Sequence, residues 1–493
     1  MKISFPKSSI YAILSSTLII LGNSPFFVPI FPFLGFSLWF KTLRETNHPF
    51  LISFLIAIPY WLFHSLWIYN LDVPNSIRPL LLLGVLTMSA ILSSIWGLWG
   101  WAVSKFNGLT SVLFGSTFFA SLEFIRGENL GDLSYPWALV GESLVNSPFL
   151  KLSSLFGVYF LSFFVVLVGG LISLWNLRYV ISALIILAFG IFWNFVYKLP
   201  EPVGEIKVAI LQPNILPRLD YDPKEWEETF RAYREITENL GGLDLAVAPE
   251  SAFPGIHNFS QNSQKIVEEI LQKIRAPLIF GTGGVEKDTI YRYYNRALLV
   301  DKNGNIVGFY DKVRLVPFGE NLPFYEILPE FIRNIDLGQG NYSRGKGFYP
   351  IEYGSLKIGV MICYESIFSF IGKSLVDKGA NVLTIITSDG WFGKSLGPVE
   401  HFYLGIVRAV ETGRYVIRSA KTGISAIIDP EGKVVESLPL YTRGNMVGRI
   451  KLYNHRTPYV SFGFVFPYVC TIFTLILALS KNLPLFRLSD CKP

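Results

Sequence analysis

Charge is spread unevenly along this chain, and that constrains its fold more than any single motif does. Of 43 Lys+Arg and 37 Asp+Glu, 18 fall in residues 1–205, 56 in residues 206–450 and 6 in residues 451–493. A helix that crosses a bilayer needs about 20 consecutive, mostly apolar residues. The two ends are built that way, and the middle has the charge of a soluble domain. With 51% hydrophobic and 16% charged residues, the chain is neither a disordered tail nor an ordinary soluble enzyme. A net charge of +6 asks for no acidic partner, and nothing points to nucleic acid.

Apolar runs near 8–23, 25–40, 50–69, 79–101, 109–125, 152–175 and 179–197 read as spans, with one more near 461–480. The first two, parted by Asn23-Ser24-Pro25, could form a tight hairpin. No small-residue cleavage site follows the first run, so it is not a cleavable signal peptide. Seven spans before the polar middle and one after it put both termini on one side and the middle on the other. Lys and Arg favour the cytoplasmic side of short loops. Lys2, Lys7, Lys41, Arg44, Lys105, Arg178, Lys481, Arg487 and Lys492 fall on the terminal side, against Arg78, Arg126, Lys151 and Lys198 on the other. The termini are therefore expected in the cytoplasm and the polar middle outside it, in the periplasm of a two-membrane bacterium. Tyr135-Pro136-Trp137, in the loop 126–150, reads first as a membrane-boundary aromatic belt and second as a substrate contact.

The domains expected are a membrane domain at 1–200, a polar domain at 206–450, and a last helix with its tail at 458–493. In the middle, strand runs at 206–212, 244–248, 277–281, 294–300, 306–311, 357–362, 381–387, 415–420 and 424–428 alternate with helical patterns at 223–239, 260–274, 366–378 and 399–412. Continuous apolar strands interleaved with helices predict a layered α/β domain with buried strands.

The chain has three cysteines, too few for a disulfide framework, and only Cys363 lies in the polar middle. It follows the run KIGVMI, as Glu250 follows LAVAP and Lys312 follows IVGFYD. Functional side chains gather at strand ends in α/β folds. A thiol must lose a proton to attack a carbonyl, a carboxylate can take it, and an ammonium can stabilise the oxyanion. Each residue alone has a plainer reading: a turn acid, a solvated strand-end lysine, a core thiol.

Three stretches taken together resemble the nitrilase superfamily: Ala248-Pro249-Glu250-Ser251-Ala252, the run Tyr310 to Glu320 (YDKVRLVPFGE), and Ile362-Cys363-Tyr364-Glu365. Within it they are similar to one branch, the apolipoprotein N-acyltransferases. Further likeness lies in Ser388-Asp389-Gly390-Trp391-Phe392-Gly393, His401-Phe402, the run Arg408 to Arg414, Tyr135-Pro136-Trp137 and Phe156-Gly157-Val158-Tyr159. The resemblance implies an αββα sandwich on a frame of about eight transmembrane helices, with a Glu250-Lys312-Cys363 triad. It also implies supporting roles for Glu320, Tyr364 and Glu365, and substrate contacts at Tyr221, Trp391 and Phe392. Tyr221 stands where the family usually has Trp, and Ser388 where it usually has Asn.

The implied activity is a two-step transfer. Cys363 takes an acyl chain from a phospholipid, typically sn-1 of phosphatidylethanolamine, as a thioester. The α-amino group of an apolipoprotein's N-terminal diacylglyceryl-cysteine then receives it. The partners are the donor lipid, the lipidated acceptor and the bilayer; no metal or organic cofactor is implied. His401 reads as structural, because the triad already supplies the proton transfers. One competing reading is a membrane-tethered amidase or nitrilase that uses water as second nucleophile. Another is a transporter or scaffold with a dead domain, disfavoured because the spans hold few ionisable residues beyond His64 and Glu123.

Overall fold

The computed structural model describes residues 7–216, 223–287, 291–323, 329–330 and 342–480. Tyr221 and the tail from residue 481 lie outside the described residues. The N-terminal part is helical: α1 (Lys7–Gly22), α2 (Phe31–Glu45), α3 (Pro49–Ser65), α4 (Arg78–Val103), α5 (Gly108–Glu128), the short α6 (Ser153–Phe156), α7 (Val158–Ser173) and α8 (Leu177–Val196). Among the described residues, four stretches are long and apolar enough to cross a membrane: Pro49–Asn70, Asn75–Val103, Gly108–Glu128 and Leu177–Val196. The pair Leu150–Phe156 and Val158–Ser173, bent by 118°, would make a fifth. Helices stand at all eight expected places, but α1, α2 and the last helix fall short of a full span.

The expected hairpin forms at the first two helices: Gly22 lies against Pro32, and Gly35 against Ile19. α2 begins at Phe31 rather than near residue 25, because Pro25 and Pro29 sit in a turn in which Asn23 accepts from the Phe26 and Phe27 N–H groups. α8 presents Leu177 (74% exposed) and Phe195 (71%) outward, a surface suited to hydrocarbon and not to water. Lys41 and Arg44 gather with Trp175 and Ser173 at one end of this bundle. Lys151 pairs with Glu431 at the other, on the side of the polar domain.

The polar domain is two six-stranded sheets packed face to face. The first has the order β12-β1-β2-β3-β4-β5, with β1 Gly204–Gln212, β2 Leu245–Val247, β3 Leu278–Lys287, β4 Tyr291–Val300, β5 Ile306–Asp311 and β12 Gly444–Leu452. The second has the order β11-β10-β9-β8-β7-β6, with β6 Ile351–Tyr353, β7 Leu356–Ile362, β8 Val382–Thr387, β9 Val416–Ala420, β10 Ser425–Ile428 and β11 Val434–Leu438. Alternation along each strand sorts the layers. Ile206, Val208 and Ile210 of β1 meet Ile358, Val360 and Ile362 of β7 in the shared core. Ala209 and Leu211 face the other way, toward α9 (Pro223–Ile236) and α10 (Gln261–Ile274).

The outer face of the second sheet is covered by α11 (Ser369–Asp377) and α12 (Gly397–Thr412), whose core runs on into the membrane helices. The chain then returns through α13 (Pro458–Phe462) to α14 (Val465–Ser480), where Thr474 donates to Thr117 of α5 at 2.9 Å. The layered domain with buried strands is the one expected, with three strands added: β6, β11 and β12. β11 and β12 are edge strands with exposed, charged positions, and Gly448 of β12 lies against Ile427. That composition does not read as a buried strand.

Candidate active site

Glu250, Lys312 and Cys363 leave β2, β5 and β7 at one end of the sandwich, so the first two come from one sheet and the thiol from the other. Lys312, 1% exposed, lies 2.9 Å from Glu320 Oε1 and 3.6 Å from Glu250 Oε1. Asn295 Nδ2 donates to both carboxylates, at 2.8 Å to Glu250 and 2.9 Å to Glu320. The Ser388 N–H takes the other oxygen of Glu250 at 2.8 Å, and the Val316 N–H that of Glu320 at 2.9 Å. Burial alone would drive the Lys312 ammonium to lose its proton; Glu320 and Glu250 outweigh it, and the amine stays charged, its pKa raised.

Cys363 is half-buried, with φ +51, a left-handed conformation that costs a residue with a Cβ about 1–3 kcal/mol unless its surroundings hold it. Much of that hold is Glu365, which is fully buried. Its Oε2 accepts from the Ile362 N–H at 2.9 Å, just before the thiol. Its Oε1 accepts from Tyr310 Oη (2.8 Å) and from the N–H groups of Val313 (2.8 Å) and Arg314 (3.0 Å), just after Lys312. One carboxyl thus ties the Cys363 turn on one sheet to the Lys312 exit from the other. Burial pushes its pKa up to about 7.

Burial also pushes the Cys363 thiol up, and Glu250 adds to the shift while Lys312 opposes it. A free thiolate beside the Glu250 carboxylate would place two negative charges close together in a buried site. A proton passed from sulfur to Glu250 leaves the net charge of the group unchanged. Room for Glu250 depends on Gly281 of β3: a Cβ there would stand 2.5 Å from the Glu250 Cα.

The remaining expected residues are less central. The Tyr364 hydroxyl donates to the Ser134 carbonyl at 3.2 Å, joining the Cys363 turn to the membrane domain. Trp391 and Phe392 are half-buried at the same junction: the Asp72 N–H donates to the Trp391 carbonyl, and the Phe392 ring lies 4.9 Å from Trp67. Trp137 is 2% exposed and gives its ring N–H to Glu400, so Tyr135-Pro136-Trp137 docks one domain on the other instead of forming an exposed belt.

Sequence reading missed Asn295, although a signal existed: it shares the inward face of β4 with Ala297 and Leu299, where an amide is out of place. Ser388, which stands where the family usually has Asn, touches Glu250 through its backbone N–H, which either residue supplies. His401 is buried, its pKa lowered first by burial and then by Arg418. Among the described residues, no group of three or more His, Cys, Asp or Glu could hold a metal ion.

A β-sandwich with a thiol, an ammonium and carboxylates at one end defines a class, and residues 207–456 match the carbon-nitrogen hydrolase family. Residues 15–171 match the apolipoprotein N-acyltransferase N-terminal domain. The chain is 31% identical over 451 residues to an apolipoprotein N-acyltransferase of Aquifex aeolicus, covering 90% of this chain and 94% of that one. It is 30% identical over 362 residues to that of Geobacter metallireducens (70% and 69%), and 26% over 479 residues to that of Haemophilus ducreyi (92% and 94%). A solved carbon-nitrogen hydrolase from Helicobacter pylori G27 is 16% identical with a TM-score of 0.38, covering 53% of this chain and 94% of that one. The chain belongs to the apolipoprotein N-acyltransferase family, the membrane-anchored acyltransferases of the carbon-nitrogen hydrolase superfamily.

Proposed function

We propose that the protein moves an acyl chain from a phospholipid, through a thioester on Cys363, to the α-amino group of an apolipoprotein's N-terminal diacylglyceryl-cysteine. Glu250 takes the thiol proton as sulfur bonds to the sn-1 ester carbonyl of phosphatidylethanolamine. Lys312 and the Tyr364 N–H steady the oxyanion. The ester C–O bond breaks, Glu250 returns the proton to the departing oxygen, and lysophospholipid leaves. The acceptor amine then attacks the thioester and gives its proton to Glu250. The C–S bond breaks, and the thiol is restored. Glu320, Glu365 and Tyr364 position these groups. Trp391, Phe392 and Tyr221 are assigned to substrate contact.

The observation that carries the reading is the convergence of Glu250 and Lys312 on the half-buried Cys363 thiol, next to the membrane domain. Water competes with the amine for a thioester, so such a site gains from enclosure. The domains are assigned as 1–200, 206–450 and 458–493, with about eight transmembrane helices in the bacterial inner membrane. The catalytic domain is placed in the periplasm and both termini in the cytoplasm. The lysines and arginines of the short loops support that orientation.

The test is purified protein in phosphatidylethanolamine vesicles with a diacylglyceryl-cysteine peptide. N-acylated peptide and lysophospholipid in equal amounts are expected. Free fatty acid with unmodified peptide would instead favour the membrane-tethered hydrolase.

A further inference from the structure

Glu400 and His401 are neighbours on α12, both buried, and they serve different domains. Glu400 reaches the membrane domain: its Oε1 lies 2.6 Å from His64 Nδ1 of α3, and its Oε2 accepts the Trp137 ring N–H at 2.6 Å. His64 Nε2 has no partner among the described residues, so Glu400 is that ring's polar hold. His401 reaches the nucleophile. Its Nε2 lies 2.9 Å from Ser366 Oγ and 3.1 Å from the Cys363 carbonyl oxygen; the carbonyl can only accept, so toward it the ring donates, sharing its N–H with the hydroxyl oxygen. The Ser366 hydroxyl donates to the same carbonyl at 2.8 Å. Arg418 Nη2 approaches His401 Nδ1 at 3.1 Å, and Asp389 lies 2.9 Å from the same nitrogen. Asp389 in turn accepts the Thr387 hydroxyl at 2.7 Å, and Thr387 sits beside the thiol.

Cys363 is held in a backbone conformation that needs outside support. Part of that support is the hydrogen bond from His401. His401 can keep its place only as α12 keeps its own, and α12 is fixed one residue earlier by two side chains of the membrane domain. Packed cores shift between discrete arrangements instead of stretching, so a change at one residue of a buried helix is passed to the next.

We propose that α12 is a positioning strut: His64 and Trp137 in the membrane domain set the pose of Cys363 through Glu400 and His401. This rests on the reading of Cys363 as the nucleophile. The four residues are positioning residues and touch no substrate.

The test uses the full-length protein in phosphatidylethanolamine vesicles. It compares His64→Leu, His64→Asn, Trp137→Phe, His401→Asn and the pairs His64→Leu/His401→Asn and Trp137→Phe/His401→Asn. Three quantities are read: kcat and KM for acyl transfer, and the rate at which iodoacetamide alkylates Cys363, followed by peptide mass. His64→Leu is expected to lower kcat and the alkylation rate about tenfold and to leave KM within about twofold. His64→Asn places an amide N–H near the lost Nδ1 and is expected to recover most of both. The double variant is expected to be no worse than His401→Asn alone, because the two act through one element.

Additive losses in the double variant would overturn the strut, as would unchanged alkylation in both His64→Leu and Trp137→Phe. If His64→Leu does not fold, Trp137→Phe, which keeps an aromatic ring but loses the indole N–H to Glu400 together with the five-membered ring that carries it, carries the same comparison with its own pair. Alkylation needs no acyl transfer. The strut therefore stands or falls on it even if the native protein acylates nothing, an outcome that would sink the proposed function alone.

Discussion

The two sheets are alike in strand number and differ in what covers them. The first is closed by its own helices: in α10, 6 of 14 residues are buried, and the opposite face carries charge to solvent. The second is closed by α12, in which 14 of 16 residues are buried, with the membrane domain packed beyond it. The chemistry divides along the same line. Glu250 and Lys312 belong to the self-contained sheet, and Cys363 to the sheet fused to the membrane helices. The fold thus holds Glu250 and Lys312 on a soluble-type scaffold and sets Cys363, the proposed acyl carrier, beside the membrane domain. The Glu365 carboxyl joins the two halves.

The largest expected effect breaks the second half at its tip. Cys363→Ala should lower acyl transfer at least about 1000-fold in a single-turnover assay with phosphatidylethanolamine. Next comes the join. Glu365→Ala leaves four donors without their acceptor and should cost about 100-fold in kcat, with a smaller change in KM, measured in steady-state kinetics. Gly281→Ala acts on the first half alone. Its methyl group pushes Glu250 away and should lower kcat about tenfold to 100-fold, while iodoacetamide should still alkylate Cys363.

A stability measurement sharpens the same contrast. Ile270→Ala in α10 should destabilise the catalytic domain by about 2–5 kcal/mol in denaturant unfolding. Val407→Ala in α12 should cost about 1–2 kcal/mol and also raise proteolysis of the membrane-domain loops, because its core is shared. The smallest effect is one of pH. With the Glu365 pKa at about 7, acylation should fall as pH drops through 7, since its four contacts all need an acceptor. Its linkage to stability has the opposite sign. The folded pKa lies above the unfolded value of about 4.3, so the folded state binds more protons between them. This group's contribution to stability is full at acid pH and is lost as pH rises through 7. A pH–rate profile beside a pH–unfolding profile would read both.

The layered domain and the three polar strand ends were legible in the sequence because buried strands leave continuous apolar runs, and a charged residue at the end of one stands out. β11 and β12 were not legible, since edge strands carry charge and glycine like loops do. Glu365 was legible only through the family resemblance and Asn295 was missed, because which partners they meet depends on two sheets stacking. The partnership of Glu400 with His64 and Trp137 spans 336 and 263 residues of chain, and no local pattern encodes it.

The account depends most on the thiol as acyl carrier. Intact-mass analysis of the protein after incubation with phosphatidylethanolamine, beside Cys363→Ala, addresses it most directly. One added acyl mass on the native chain, absent from Cys363→Ala and released by a diacylglyceryl-cysteine peptide, is expected. An unmodified native chain with the lipid intact, or an equal adduct on Cys363→Ala, would contradict it.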